Sequence, residues 1–127
     1  MRQTAPIIAV IDDDASVRRA LQRLLQSAGF TVETFATARE FLNTNYEAQT
    51  ACLVLDVHLP GMSGFQLQEY LAASGVPIPV VFITAYDDES TRERVNRAGA
   101  VGYLRKPFDQ STLIEAITRA TGQNASE

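Results

Sequence analysis

The sequence predicts an α/β fold: a single doubly wound sheet of five parallel strands carrying five helices. Three observations predict it. Short apolar runs alternate with helical periodicities along the chain, four of those runs end in a polar group that packing does not require, and the length of 127 residues suits one domain with a real core.

The first run, residues 7–11, is an unbroken apolar stretch of the length of a buried strand. Apolar residues then fall at Val17, Ala20, Leu21, Leu24, Leu25 and Ala28, one stripe of a 3.6-residue period, and Gly29 stops that helix. Residues 31–35 alternate polar and apolar, as a half-exposed edge strand does. Thr37 and Glu40 have capping-box spacing and open a second helix that carries Phe41 and Leu42 inward. A third strand covers residues 51–55. The turn Pro60-Gly61-Met62-Ser63-Gly64 follows, with Ser63 the expected N-cap of a helix reaching Ala73. Residues 75–79 break the chain before a fourth strand at 80–83. The helix around residues 89–98 has Val95 as its only large apolar residue, so its inward stripe is thin and its anchoring weak. Gly99 ends it, residues 101–104 form the fifth strand, and a last helix from about Gln110, capped by Asp109, buries Leu113, Ile114, Ile117 and Ala120. Residues 1–122 are expected to form one domain, with 123–127 a polar tail or the start of a linker.

Composition narrows the function classes. Apolar residues are 46% and charged residues 20%, as in an ordinary globular chain. A net charge of −4 argues against a nucleic-acid surface on this domain, because phosphate backbones need a basic patch. The single Cys52 excludes an internal disulfide, and its place in an apolar strand reads as a buried small hydrophobe. No apolar stretch approaches a membrane span and no signal peptide precedes the first strand, so the expectation is a cytoplasmic chain without membrane contact.

The polar groups at the strand ends carry the chemistry. Asp12 and Asp13 follow the first strand, Asp56 the third, Thr84 the fourth and Lys106 the fifth. In strand order 2-1-3-4-5 the first and third strands flank the switch point, outside whose carboxyl ends ligands bind. Three gathered carboxylates raise one another's proton affinity unless a cation joins them, and Mg²⁺ suits a site of few carboxylates and several waters. Asp56 is then the natural nucleophile, accepting a phosphoryl group as an acyl phosphate. Lys106 supplies a point charge and Thr84 a hydroxyl donor. Asp14 alone reads as a helix cap, a role that does not account for Asp56 or Lys106.

The strings Ile-Asp-Asp-Asp at 11–14, Val-Leu-Asp-Val-His-Leu-Pro-Gly-Met-Ser-Gly at 54–64, Ile-Thr-Ala at 83–85 and Tyr-Leu-Arg-Lys-Pro-Phe at 103–108 resemble a bacterial two-component response-regulator receiver domain, closest to the FixJ type. The resemblance spans residues 7–120 and implies a flavodoxin-like fold. It implies that Asp56 takes a phosphoryl group from a sensor histidine kinase, in a signalling switch and not a turnover enzyme. It implies that Asp13, Asp56 and the backbone carbonyl of His58 ligate Mg²⁺, with Asp12 contacting it through water. It also implies that Thr84 and Tyr103 form a switch pair, that the Lys106-Pro107 bond is cis, and that the face of the fourth helix, fifth strand and fifth helix carries the output, through a phosphorylation-dependent homodimer. FixJ-type receivers precede a helix-turn-helix domain that binds DNA; this chain has none, and transcription control is the output such a domain would give.

His58 departs from the commonest receiver pattern at that position. Its imidazole near the site mouth either alters how water attacks the acyl phosphate or is an exposed turn histidine without a role. Arg105 beside Lys106 should make the local field more positive. Three other classes compete. A flavin mononucleotide carrier would need phosphate donors where Asp12 and Asp13 stand, and an aspartyl phosphatase would want a second Asp where His58 stands. A phosphorylation-independent interaction domain is the remaining alternative, and it would be expected to have lost some of the site groups that are all present here.

Overall fold

The computed structural model describes residues 6–122. The expected polar tail at 123–127 lies outside the described residues. The elements run β1 (Ile7–Ile11), α1 (Ala15–Ser27), β2 (Thr31–Phe35), α2 (Ala38–Leu42), β3 (Thr50–Asp56), α3 (Gly64–Ala73), β4 (Val80–Thr84), α4 (Glu89–Ala98), β5 (Gly102–Arg105) and α5 (Gln110–Thr121), with a 3-10 turn at Glu47–Gln49 before β3. All strand pairs are parallel and the order is β2-β1-β3-β4-β5, as expected.

Strand periodicity sorts the core into two layers, because successive side chains leave opposite faces of the sheet. Ile8, Val10, Val32, Cys52, Val54, Val81 and Ile83 join Leu21, Leu25, Leu113 and Ile117 under α1 and α5. Ala9, Ile11, Phe35, Leu53, Leu55 and Phe82 join Phe41, Phe65, Leu67, Leu71 and Val95 under α2, α3 and α4. Cys52 is buried, and burial pushes its thiol up to about 12. Among the described residues no helix is long and apolar enough to cross a membrane.

The caps are mostly those the sequence specifies. Ser63 and Gln66 form a reciprocal capping box at α3. Thr37 accepts from Glu40 N–H, but the Glu40 carboxylate reaches back to the N–H of Ala36 and not of Thr37, so the box is displaced by one residue. Asp109 is a correction: it occupies the N-cap position of α5 without a side-chain bond to the helix backbone, and its carboxylate instead accepts from the Ser111 hydroxyl at 3.1 Å. α4 ends on Gly99, whose φ of 73° is left-handed.

One strand boundary and two helix faces differ from the expectation. β5 begins at Gly102 and ends at Arg105, one residue later than expected at each end, and its residues are half-buried or exposed, because it is one of the two edge strands, with a neighbour on one side only. Ala20 is exposed, and Ile114 and Ala120 are half-buried, so the inward stripes of α1 and α5 are narrower than their periodicity implies.

Candidate functional site

Four strand ends do converge. Asp56 closes β3 and Thr84 closes β4, while Asp12 follows β1 and Lys106 follows β5. Backbone bonds past the strands hold the loops in place: Asp12 N–H donates to Phe35 O (3.1 Å), Val57 N–H to Ile83 O (3.0 Å) and Lys106 N–H to Thr84 O (2.7 Å). The Lys106-Pro107 bond is cis. Gly64, which opens α3, packs so closely on β3 that a Cβ there would collide with the carbonyl oxygen of Asp56. The start of α3 therefore presses directly on the backbone of the central carboxylate.

The carboxylates differ in environment. Asp12 is fully buried; its Oδ1 accepts from Asp14 N–H at 2.9 Å. Asp56 is 5% exposed, with Oδ1 accepting from His58 N–H at 2.9 Å. Asp13 is exposed. Lys106 Nζ lies 2.6 Å from Asp12 Oδ2 and 3.2 Å from Asp56 Oδ2, bridging the two. The contact to Asp56 is a hydrogen bond; the shorter contact to Asp12 joins the same ammonium to a buried carboxylate oxygen that has no other partner among the described residues. Arg18 Nη1 adds a bond to the Asp12 carbonyl at 2.8 Å.

Electrostatics follow from this crowding. Burial pushes the Asp56 carboxyl above the usual carboxylate range; the His58 N–H and Lys106 pull it down, and the Asp12 charge pushes it up again. For Lys106 burial works against the charge, but its contacts with Asp12 and Asp56 outweigh burial and hold the ammonium above its ordinary range. One cation is shared by two carboxylates, and a third stands at the mouth.

That arrangement fits a hard divalent cation. Oxygens of Asp12, Asp13 and Asp56 all lie within 4.8 Å of one another, and three carboxylates share the one Lys106 ammonium that reaches only two of them, which leaves negative charge for a cation to balance.

Thr84 is fully buried, its hydroxyl turned to the following loop: it accepts from Tyr86 N–H (3.0 Å) and donates to Tyr86 O (3.1 Å). Tyr103 is half-buried, and its hydroxyl donates to Asp87 Oδ1 at 2.9 Å. The exposed ring of His58 meets that of Tyr86 edge-on, with centroids 5.6 Å apart. Arg105 is exposed, and its charge bears on Asp87. Beside the site, Val17, Ala20, Leu21, Leu24, Pro107 and Phe108 line an apolar groove of about 380 Å³ in which Lys106 also takes part.

Tyr86, Asp87 and Arg18 are not singled out by the sequence reading. Asp87 carries the one available signal, an acidic residue three positions after Thr84, but nothing local says that it faces the fifth strand and not solvent.

Comparison with known proteins places this arrangement. Residues 8–118 match the response regulator receiver domain model. Nodulation protein W of Bradyrhizobium diazoefficiens is 43% identical over 93% of this chain and 52% of its own length. Transcriptional regulatory protein FixJ of Azorhizobium caulinodans is 35% identical over 100% of this chain and 60% of its own. The chain thus spans little more than half the length of these curated relatives. Among solved structures, the response regulator StyR superposes with a TM-score of 0.87 at 48% identity, covering 96% of this chain and 62% of that one. The crystal structure of FixJ-N superposes at 0.82 with 32% identity, covering 95% of this chain and 97% of that one.

Proposed function

The chain belongs to the response regulator receiver domain family, the phosphorylation-based switches of two-component signalling, and from that premise we propose that Asp56 is its phosphoacceptor, served by a sensor histidine kinase. The observation that carries the reading is the Lys106 bridge: one ammonium, within reach of Asp12 and Asp56 together, fixes the central carboxylate at the open end of β3.

In the proposed transfer a carboxylate oxygen of Asp56 attacks the phosphorus of a phosphohistidine. The P–N bond breaks, its electron pair returns to the imidazole nitrogen, and that nitrogen takes up a proton. The new O–P bond is an acyl phosphate. Lys106, already against Asp56 Oδ2, is positioned to pair with a phosphoryl oxygen, and the Thr84 hydroxyl to donate to another after leaving Tyr86. Asp12, Asp13, Asp56 and the His58 carbonyl would hold Mg²⁺, which when bound supplies positive charge for the phosphoryl oxygens. Water later hydrolyses the acyl phosphate, releasing inorganic phosphate and restoring the Asp56 carboxylate. The apolar groove beside Lys106 suits the docking of the donor, which must bring its phosphohistidine to the same strand ends.

Output through the α4, β5 and α5 face, a phosphorylation-dependent homodimer, a cytoplasmic setting and control of transcription by a helix-turn-helix domain in the intact regulator belong to the same proposal. They rest on resemblance to the FixJ-type regulators.

Incubation with Mg²⁺ and a small phosphodonor such as phosphoramidate tests the assignment. Intact mass should show one phosphoryl group, stable to acid and labile to base and hydroxylamine, on the wild type and none on Asp56→Asn. Equal labelling of both would displace Asp56, and absence from both would favour an interaction domain that works without phosphorylation.

A further inference from the structure

Thr84 and Tyr103 stand on neighbouring strands, yet the bonds that connect them run through the loop between β4 and α4. Thr84 Oγ1 is engaged twice by the backbone of Tyr86. The next residue, Asp87, accepts on one oxygen from both the Tyr103 hydroxyl (2.9 Å) and Arg92 Nη1 (2.8 Å). Asp88 then caps α4 by accepting from Thr91 N–H at 2.8 Å. Successive residues of one loop therefore tie the Thr84 hydroxyl, the edge-strand tyrosine and the first turn of α4.

The Thr84 hydroxyl has a single proton. It cannot donate to Tyr86 O and to a phosphoryl oxygen at once, so recruiting Thr84 frees the loop segment that positions Asp87. We propose that Asp87 is a positioning residue of the switch: its carboxylate latches Tyr103 and Arg92 in the resting arrangement, and the latch sets how much phosphoryl binding energy the switch requires. The inference rests on the proposed phosphoacceptor site and extends it to a residue that touches neither the phosphoryl group nor the metal ligands.

The latch favours only the resting state, so removing it must raise affinity for whatever favours the other state. Asp87 and Arg92 are partly exposed, with side-chain exposures of 26% and 50%, which keeps the effect modest. Loss of two such bonds should tighten binding by about 3- to 10-fold.

The test is titration of the Mg²⁺-loaded protein with beryllofluoride, followed by amide chemical shifts, for wild type, Asp87→Ala, Tyr103→Phe, their double variant and Arg92→Ala, with thermal unfolding of each. The expected result is tighter binding in Asp87→Ala and Tyr103→Phe, no further gain in the double variant, and a smaller gain in Arg92→Ala. A residue that merely supported the fold would lower the unfolding temperature and weaken binding instead. Wild-type binding with variants that bind equally or more weakly, or with gains that add in the double variant, overturns the latch and leaves the phosphoacceptor site standing. Failure of the wild type to bind beryllofluoride overturns both.

Discussion

Asp12 and Asp13 are adjacent in the chain and opposite in environment. Asp12 is fully buried against Lys106, while Asp13 faces solvent at the mouth. Asp13 thus adds negative charge without stabilising contacts in the metal-free protein. Asp13→Asn should weaken Mg²⁺ binding by about 10-fold or more, ~1.4 kcal/mol, and leave metal-free stability unchanged or slightly raised by relief of carboxylate repulsion. Titration calorimetry and urea unfolding check the two parts, and unchanged Mg²⁺ affinity would remove Asp13 from the ligand set. Tyr103 offers a second reading at this scale. Burial, and after it the bond to the Asp87 carboxylate, push its phenol up to about 12. A phenol raised in the folded state lends stability that is complete below its ordinary value of 10.0 and is lost as pH rises toward about 12. Ultraviolet titration of wild type against Tyr103→Phe should therefore show one phenol ionising late, and Asp87→Ala should bring it part of the way back.

α4 is held more lightly than α3 or α5, the helices that flank it in the chain. Of its residues only Thr91 and Val95 are buried, against Leu113, Ala116 and Ile117 in α5 and four buried residues in α3. Its other ties include the Asp88 cap, the Arg92 bond to Asp87, the bond from Gln68 to the Ala98 carbonyl at 3.0 Å, and Arg94 4.2 Å above the Phe65 ring. Hydrogen exchange should accordingly be faster in α4 than in α5 or β3. Val95→Ala should cost about 1–2 kcal/mol, less than the ~2–5 of Leu67→Ala, because α4 can settle into the space while α3 cannot. Equal protection of α4 and α5 amides would contradict the weak anchoring on which the proposed output role of α4 depends.

At the scale of the molecule, the sheet separates the acidic cluster from the edge proposed to carry output: the carboxylates gather at the carboxyl ends of the central strands, while α4 and the half-buried β5 lie at one edge. Phosphorylation is expected to strengthen self-association through that edge and α5, between residues 90 and 120. The interface should be modest in area and weakened by salt, since Arg92, Arg94, Arg97 and Arg105 lie on the segments involved. Sedimentation with and without beryllofluoride decides this. A monomer in both states would point to a relay acting on a partner protein.

The amino-acid sequence determines the five strands, their polar ends and most of the caps, because these depend on local periodicity and on side chains bonding to backbone a few residues away. Ser63 with Gln66, Asp14 with Ser16 and Gly99 in its left-handed cap are such local events. The convergence of Asp12, Asp56, Thr84 and Lys106 is legible too, since parallel strands with right-handed crossovers bring their carboxyl ends to one side. Tertiary structure alone decides the rest. It chooses Asp12 over Asp13 for Lys106, leaves β5 half-covered at the sheet edge, and brings Asp87 to Tyr103 sixteen residues away. Each of these outcomes depends on which elements become neighbours and at what angle. No local pattern encodes that; only the assembled sheet, which fixes the distance between groups far apart in the chain, settles it.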